Sequence, residues 1–245
     1  TRWLSDWSSD VCSSDLTGNA AWQLIGRISN HPAAHGQSLS FTLTSKLQGV
    51  GVDLPAPFGK APESAVPLDA SMNLTGDQRM LVQVRYGDNM NGLYRFNNEN
   101  DGWRFDRGDL VLGAGPPVLP VAGGLMLTGS LPEFSLDAWK PYAVQSGASA
   151  EKLLPPFLRG LDVEVNHFTA LGQAVDNLHV RLVRDTSAWK LGLTSNAIAG
   201  EISLPYQVDA AHPIIADMQR VTWIRKATKP GSNPASVPLK PGDVP

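Results

Sequence analysis

This sequence predicts an all-β fold: an elongated, curled antiparallel sheet with one short helix near residues 135–144. Three observations lead there. Apolar residues alternate with a period of two in four successive runs between Leu153 and Pro205, the spacing of half-buried strands and not of helices. Gly and Pro are frequent, 23 and 19 of 245 residues, and with Asn and Asp they fall between the alternating runs, where turns are needed. An apolar share of 42% is enough to bury one face of a large sheet, whereas a convincing helical period is written only once.

The chain divides into three parts. Residues 1–16 are set aside as an artefactual start, because Asp6 to Leu16 (DWSSDVCSSDL) resembles the translation of a common sequencing adapter and shows no alternation. Leaving out its Asp6, Asp10 and Asp15 brings the 23 acidic residues to 20 against 20 Lys and Arg, so the formal charge moves from -3 to zero. Cys12, the only cysteine, goes with them, which excludes disulfides, thiolate metal sites and a cysteine nucleophile from the remainder. Residues 17–228 are expected to form the sheet, with a candidate repeat boundary near 145–152, where QSGASAEK reads as a linker. The tail, 229–245, is Pro/Gly-rich without alternation and reads as extended.

Within the sheet segment, Ala20 to Ile28 fits a strand or a short amphipathic helix, and so short a stretch does not decide between them. Leu39, Phe41 and Leu43 alternate with Ser40, Thr42 and Thr44 before Gly49 to Leu54 and the stiff Pro55 to Lys60, which reads as a strand pair closed by a proline-rigid loop. Further strands are expected at Leu68 to Leu74, Met80 to Tyr86, Gly92 to Phe96, Trp103 to Asp106 and Asp109 to Leu112. No residue from Leu110 to Pro132 is charged, but Pro116, Pro117, Pro120 and four glycines interrupt any membrane-spanning helix, leaving two strands and a loop. Ser135 can cap a helix, Asp137 suits its first turn, and Leu136, Trp139 and Tyr142 or Ala143 make its apolar stripe; Pro141 should limit it to about two turns. Leu43-Thr44-Ser45 precedes Leu54-Pro55 by the same count as Leu193-Thr194-Ser195 precedes Leu204-Pro205, which suggests a duplicated strand-turn-strand unit.

The motifs of chemistry are missing. His31 and His35 have i, i+4 spacing, but Pro32 spoils the helix that would join them. His167 and His179 lie on neighbouring strands and could face each other across a turn; Glu164 and Asp176 could be brought together by folding. There is no nucleophile elbow, phosphate-cradling loop or dinucleotide fingerprint, and a near-neutral charge offers nothing to a phosphate backbone. The protein is therefore read as non-enzymatic, with no cofactor, no metal and no nucleic-acid partner. A long sheet with one apolar face must pack on a second sheet, close into a barrel or curl into a trough. At roughly 0.8 kcal/mol per methylene, a sixteen-carbon acyl chain costs on the order of 12 kcal/mol to expose, so a continuous trough could carry lipid. The alternative is a β-sandwich module, structural or binding, whose closed core the same residues fill. Parity makes Phe41, Leu43, Val82, Val84, Leu125, Leu127, Val163, Val165, Val180, Leu182, Leu191, Leu193 and Ile202 the candidate groove residues.

Three strings, Gly49 to Lys60 (GVGVDLPAPFGK), Leu127 to Trp139 (LTGSLPEFSLDAW) and Trp189 to Pro205 (WKLGLTSNAIAGEISLP), resemble the YhdP family of AsmA-like proteins, over a stretch from about Leu39 to the C-terminus. The resemblance implies an internal piece of a very long Gram-negative envelope protein, held on the periplasmic side of the inner membrane by an N-terminal anchor outside this sequence. It implies phospholipid as the partner, moved toward the outer membrane through a hydrophobic groove. It brings no catalytic residues with it, so the thirteen groove positions rest on alternation alone.

Overall fold

The structure is a computed structural model, and it describes residues 16–31, 36–99, 102–145, 156–207, 209 and 211–222. Its strands are β1 (Leu16–Gly18), β2 (Trp22–His31), β3 (Gly36–Ser45), β4 (Val50–Val52), β5 (Leu68–Thr75), β6 (Arg79–Tyr86), β7 (Met90–Glu99), β8 (Gly102–Leu112) and β9 (Gly124–Ser135). The helix α1 (Leu136–Gln145) comes next, followed by β10 (Leu158–Ala170), β11 (Gln173–Arg184), β12 (Ala188–Thr194), β13 (Ile198–Pro205) and β14 (Ile215–Val221). Twelve strands form one open sheet in the order β14-β13-β12-β11-β10-β9-β8-β7-β6-β5-β3-β2, while β1 and β4 make a separate two-stranded ladder. A sandwich would need a second sheet against this one; among the described residues that small ladder is the only other sheet.

Turn chemistry sets most of the connections. Leu171 and Gly172, both at positive φ (54° and 70°), close the β10–β11 hairpin. At the β12–β13 turn, the Ser195 hydroxyl accepts from the Ala197 and Ile198 amides at 3.1 and 2.9 Å. Two ladders depart from the antiparallel expectation, since β8, β9 and β10 run parallel. Parallel neighbours need a crossover, and both crossovers are legible afterwards. The uncharged, proline-rich stretch 113–123 carries the chain from the end of β8 back to the start of β9, and α1 begins the return from β9 to β10.

Other differences have local causes. The expected strands Trp103 to Asp106 and Asp109 to Leu112 are one strand, β8, interrupted where the β7 register shifts between Arg95 and Phe96 and leaves Asp106 as an extra residue. Ala20 to Ile28 resolves as strand, β2. The helix runs past Pro141 to Gln145, and the Ser135 hydroxyl accepts from the Ala138 amide at 3.3 Å, as a cap should. Neither the expected strand pair nor the suggested duplication reaches the fold: β12 and β13 form a hairpin, whereas β3 pairs with β2 and β5, and β4, which carries the matching Val52, pairs with β1. Leu16, placed by the sequence in the excluded start, pairs with Val52. Residues 1–15, His35, 146–152 of the linker and the tail 229–245 lie outside the described residues.

Candidate functional site

Because directly opposed residues in a ladder point to the same side, the registers fix which side chains share a face. Following partners from edge to edge gives the row Leu24, Leu43, Ala70, Val84, Gly92, Leu110, Leu127, Leu161, Leu182, Leu191, Ile202 and Ala216, one from each of the twelve strands and all apolar. The next row on that face contains Trp22, Leu68, Tyr86, Met90, Leu112, Val163, Val180 and Leu193. On the other side of the first row, Phe41, Met72, Val82, Tyr94, Gly108, Leu125 and Leu158 follow one another. Val165 lies between Leu131 and Leu178 in a fourth row. All thirteen candidate positions therefore stand on one face of one sheet, spread over seven of its strands.

The opposite face is polar. Gln23, Thr44, Asp69, Arg85 and Asn91 form one of its rows in β2–β7, and Asp162, Arg181, Glu201 and Asp217 continue it in β10–β14. Val111 and Thr128 occupy the middle of that row, where the crossover 113–123 lies over them. The buried Asp109 carboxylate holds the crossover, accepting from the Val118 amide at 2.9 Å and the Thr128 hydroxyl at 3.2 Å. Arg107 donates to the Pro120 and Val121 carbonyls. Beside it, the bulge residue Asp106 accepts from Arg95 and Arg107. Burial pushes the Asp106 carboxyl up, but those two guanidinium bonds outweigh it and hold the pKa below the ordinary carboxylate value. His167 and His179 do not meet: His167 Nδ1 is 2.8 Å from Asp176 and His179 Nε2 is 2.6 Å from Asp162. Glu164 lies opposite His179 and not Asp176. Among the described residues no group of three His, Cys, Asp or Glu side chains converges as a metal site would.

The apolar face is unevenly covered. Over β8–β10 a lid sits on it. Phe58, from the loop that follows β4, packs on Leu112, Leu131, Val163 and Val165, the last two each only 4% exposed. Trp139 of α1 meets Phe58 edge-on at 5.9 Å and stacks on Phe134 at 6.0 Å, and Phe134 stacks on Phe168 at 6.3 Å. The Tyr142 hydroxyl donates to the Asp53 carbonyl at 3.0 Å and so ties helix to loop. Asp137 accepts from the Gly172 amide at 3.1 Å and ties the helix to the β10–β11 turn. Two donors, the Trp139 indole NH and the Tyr86 hydroxyl, are buried with no hydrogen-bond partner among the described residues. Each such orphan costs about 1–3 kcal/mol. Burial also raises the Tyr86 pKa.

Sequence reasoning missed this lid, although its residues were in view: the DLPAPFGK loop reads as a stiff turn, and nothing local says where Phe58 docks. It also missed a crease across three strands. Pro132 and Glu133 of β9, Asn166 and His167 of β10, and Asp176 and Asn177 of β11 are consecutive exposed pairs at which the alternation changes parity. Asn177 makes the shift with φ at 51°. Beyond it Phe134, Phe168 and Val175 face inward in register, and the first two carry the lid. No curated protein and no solved structure matches the chain. A family model described as YhdP protein matches residues 2–245, nearly the whole length, and the chain belongs to the YhdP family.

Proposed function

We propose that this chain is a non-catalytic segment of an inner-membrane-anchored protein that crosses the periplasm of a Gram-negative cell, and that its apolar face carries phospholipid acyl chains toward the outer membrane. The observation that carries the reading is the unbroken apolar row across twelve strands of one open sheet, a two-stranded ladder being the only other sheet among the described residues. Twelve strands at about 4.8 Å spacing make a face about 50 Å wide. One acyl chain spans half of a roughly 30 Å hydrocarbon core, so the face has room for several in succession. Membership of the YhdP family agrees with this reading. No helix among the described residues is long and apolar enough to cross a membrane.

The test is a paired substitution. Val180→Asp and Leu191→Asp put charge on the apolar face; His179→Asp and Lys190→Asp put it on the polar one. In the full-length protein the first pair should lower phospholipid photo-crosslinking by tenfold or more while circular dichroism still shows a folded sheet, and the second pair should stay within twofold. Equal crosslinking from both faces would sink the proposal. Native mass spectrometry of the purified chain should show co-purifying phospholipid.

A further inference from the structure

The acyl-chain path runs across strands, and the lid stands in the middle of it. Four strands of the sheet lie on one side of β8–β10 and five on the other. We infer that Phe58 and Trp139, carried by the 53–60 loop and α1, form a gate that divides the path into two stretches, β2–β7 and β11–β14, and that an acyl chain passes between them only when the gate lifts. This rests on the lipid-carrying reading above.

Three features favour a gate over a fixed part of the core. Among the described residues its polar attachments to the sheet sit at the strand ends: Asp137 at the β10–β11 turn, and the Pro57 carbonyl, which accepts from Asn89 at the β6–β7 turn at 3.4 Å. The surface beneath it, Leu112, Leu131, Val163 and Val165, is purely hydrocarbon and can receive an acyl chain as readily as an aromatic ring. The shut position also leaves the Trp139 indole NH without an acceptor among the described residues; a lifted helix returns that donor to water, or to an ester or phosphate oxygen of the passing lipid. The bypass along the other end of the same strands is narrowed by Phe157, which meets Phe105 edge-on at 5.8 Å.

A reversible lock tests it. In the full-length protein with Cys12→Ser, the pair Asp137→Cys and Leu171→Cys would be joined by a short, reducible thiol cross-linker, pinning α1 to the turn whose amides Asp137 already binds. A photoreactive residue in place of Val82 or of Leu191 then reports phospholipid on either side of the gate. With the lock closed, capture should fall tenfold or more at one position, hold or rise at the other, and recover when the linker is reduced. Equal capture at both positions with the lock closed overturns the gate and leaves lipid carriage standing; no capture at either position before locking overturns lipid carriage itself. A second variant, Phe58→Ala with Trp139→Ala, should speed exchange of a fluorescent phosphatidylethanolamine between vesicles several-fold if it remains folded by circular dichroism. A folded double variant with an unchanged rate also counts against the gate. If it unfolds, the reversible lock alone decides.

Discussion

The β2–β7 half and the β8–β12 half of the sheet are written in the same alternating code and end up in different states. In β8–β12 the apolar face is covered: Leu178 is 2% exposed, and Val163, Val165, Leu182 and Trp189 are buried. In β2, on the same face, Trp22, Leu24 and Ile28 are 66%, 52% and 68% exposed, and no side chain of β2–β6 that the structure describes is fully buried. Alternation decides which way a side chain points. Whether that direction is a core depends on what comes to cover it, here α1, Phe58, Phe157 and Tyr206, all supplied by connections and none by the strands themselves.

The sharpest way to break this comparison is to put one charge in each half. Val163→Asp places a lone carboxylate under the lid and should cost about 3–5 kcal/mol of unfolding free energy. Val82→Asp, on the same face but half-buried in the open half, should cost about 1 kcal/mol. Urea denaturation measures both, and equal losses would mean that the two halves are covered alike. A truncation pair sharpens the same contrast: Leu178→Ala should cost about 2–5 kcal/mol, Leu24→Ala within about 0.5 kcal/mol, again by denaturant midpoint.

A smaller effect is expected at the seam between the halves, where Asp106 joins β7 to β8. Its native pKa is depressed, so the unfolded chain binds the proton more readily and the carboxylate stabilises the fold above its unfolded pKa of about 4. That contribution disappears as the pH falls through the lower native value. Asp106→Asn should therefore cost about 1–3 kcal/mol at neutral pH and little in strong acid, so that the stability curves of the two proteins converge on acidification. A gap that persists unchanged to the lowest pH would show that the ion pairs are not its source.

Much of this sheet was legible in the sequence because period-two alternation survives wherever one face is apolar. The ladders from β10 to β13, and the facing of all thirteen candidate positions, follow from it. What was hidden needed information from beyond the strand. The parallel order of β8, β9 and β10 depends on how far two crossovers travel, and prolines say only that they are not helices. β14, with Asp217 and Arg220 among its seven residues and only Met218 half-buried, has no apolar partner face strong enough to announce it. At Asp106 a bulge made one strand read as two. The crease at Pro132, Asn166 and Asn177 looks like noise in any single strand; only the registers show that three neighbours change parity together.

The strand order has a further consequence for how such a protein comes into being. From β5 to β14 every strand lies beside the one that precedes it in the chain, and β2 and β3 extend the same order with only β4 set aside. Loop-closure entropy is thus met in small instalments, since no strand of the large sheet waits for a distant partner; only β1, which pairs with β4, does. A chain that emerges from its N-terminus can lay down the sheet progressively, each arrival templated by the edge already formed. The exception is the Phe58 loop, which is made early and has no seat until β9 and β10 arrive, so the growing edge is apolar and uncovered throughout the middle of assembly.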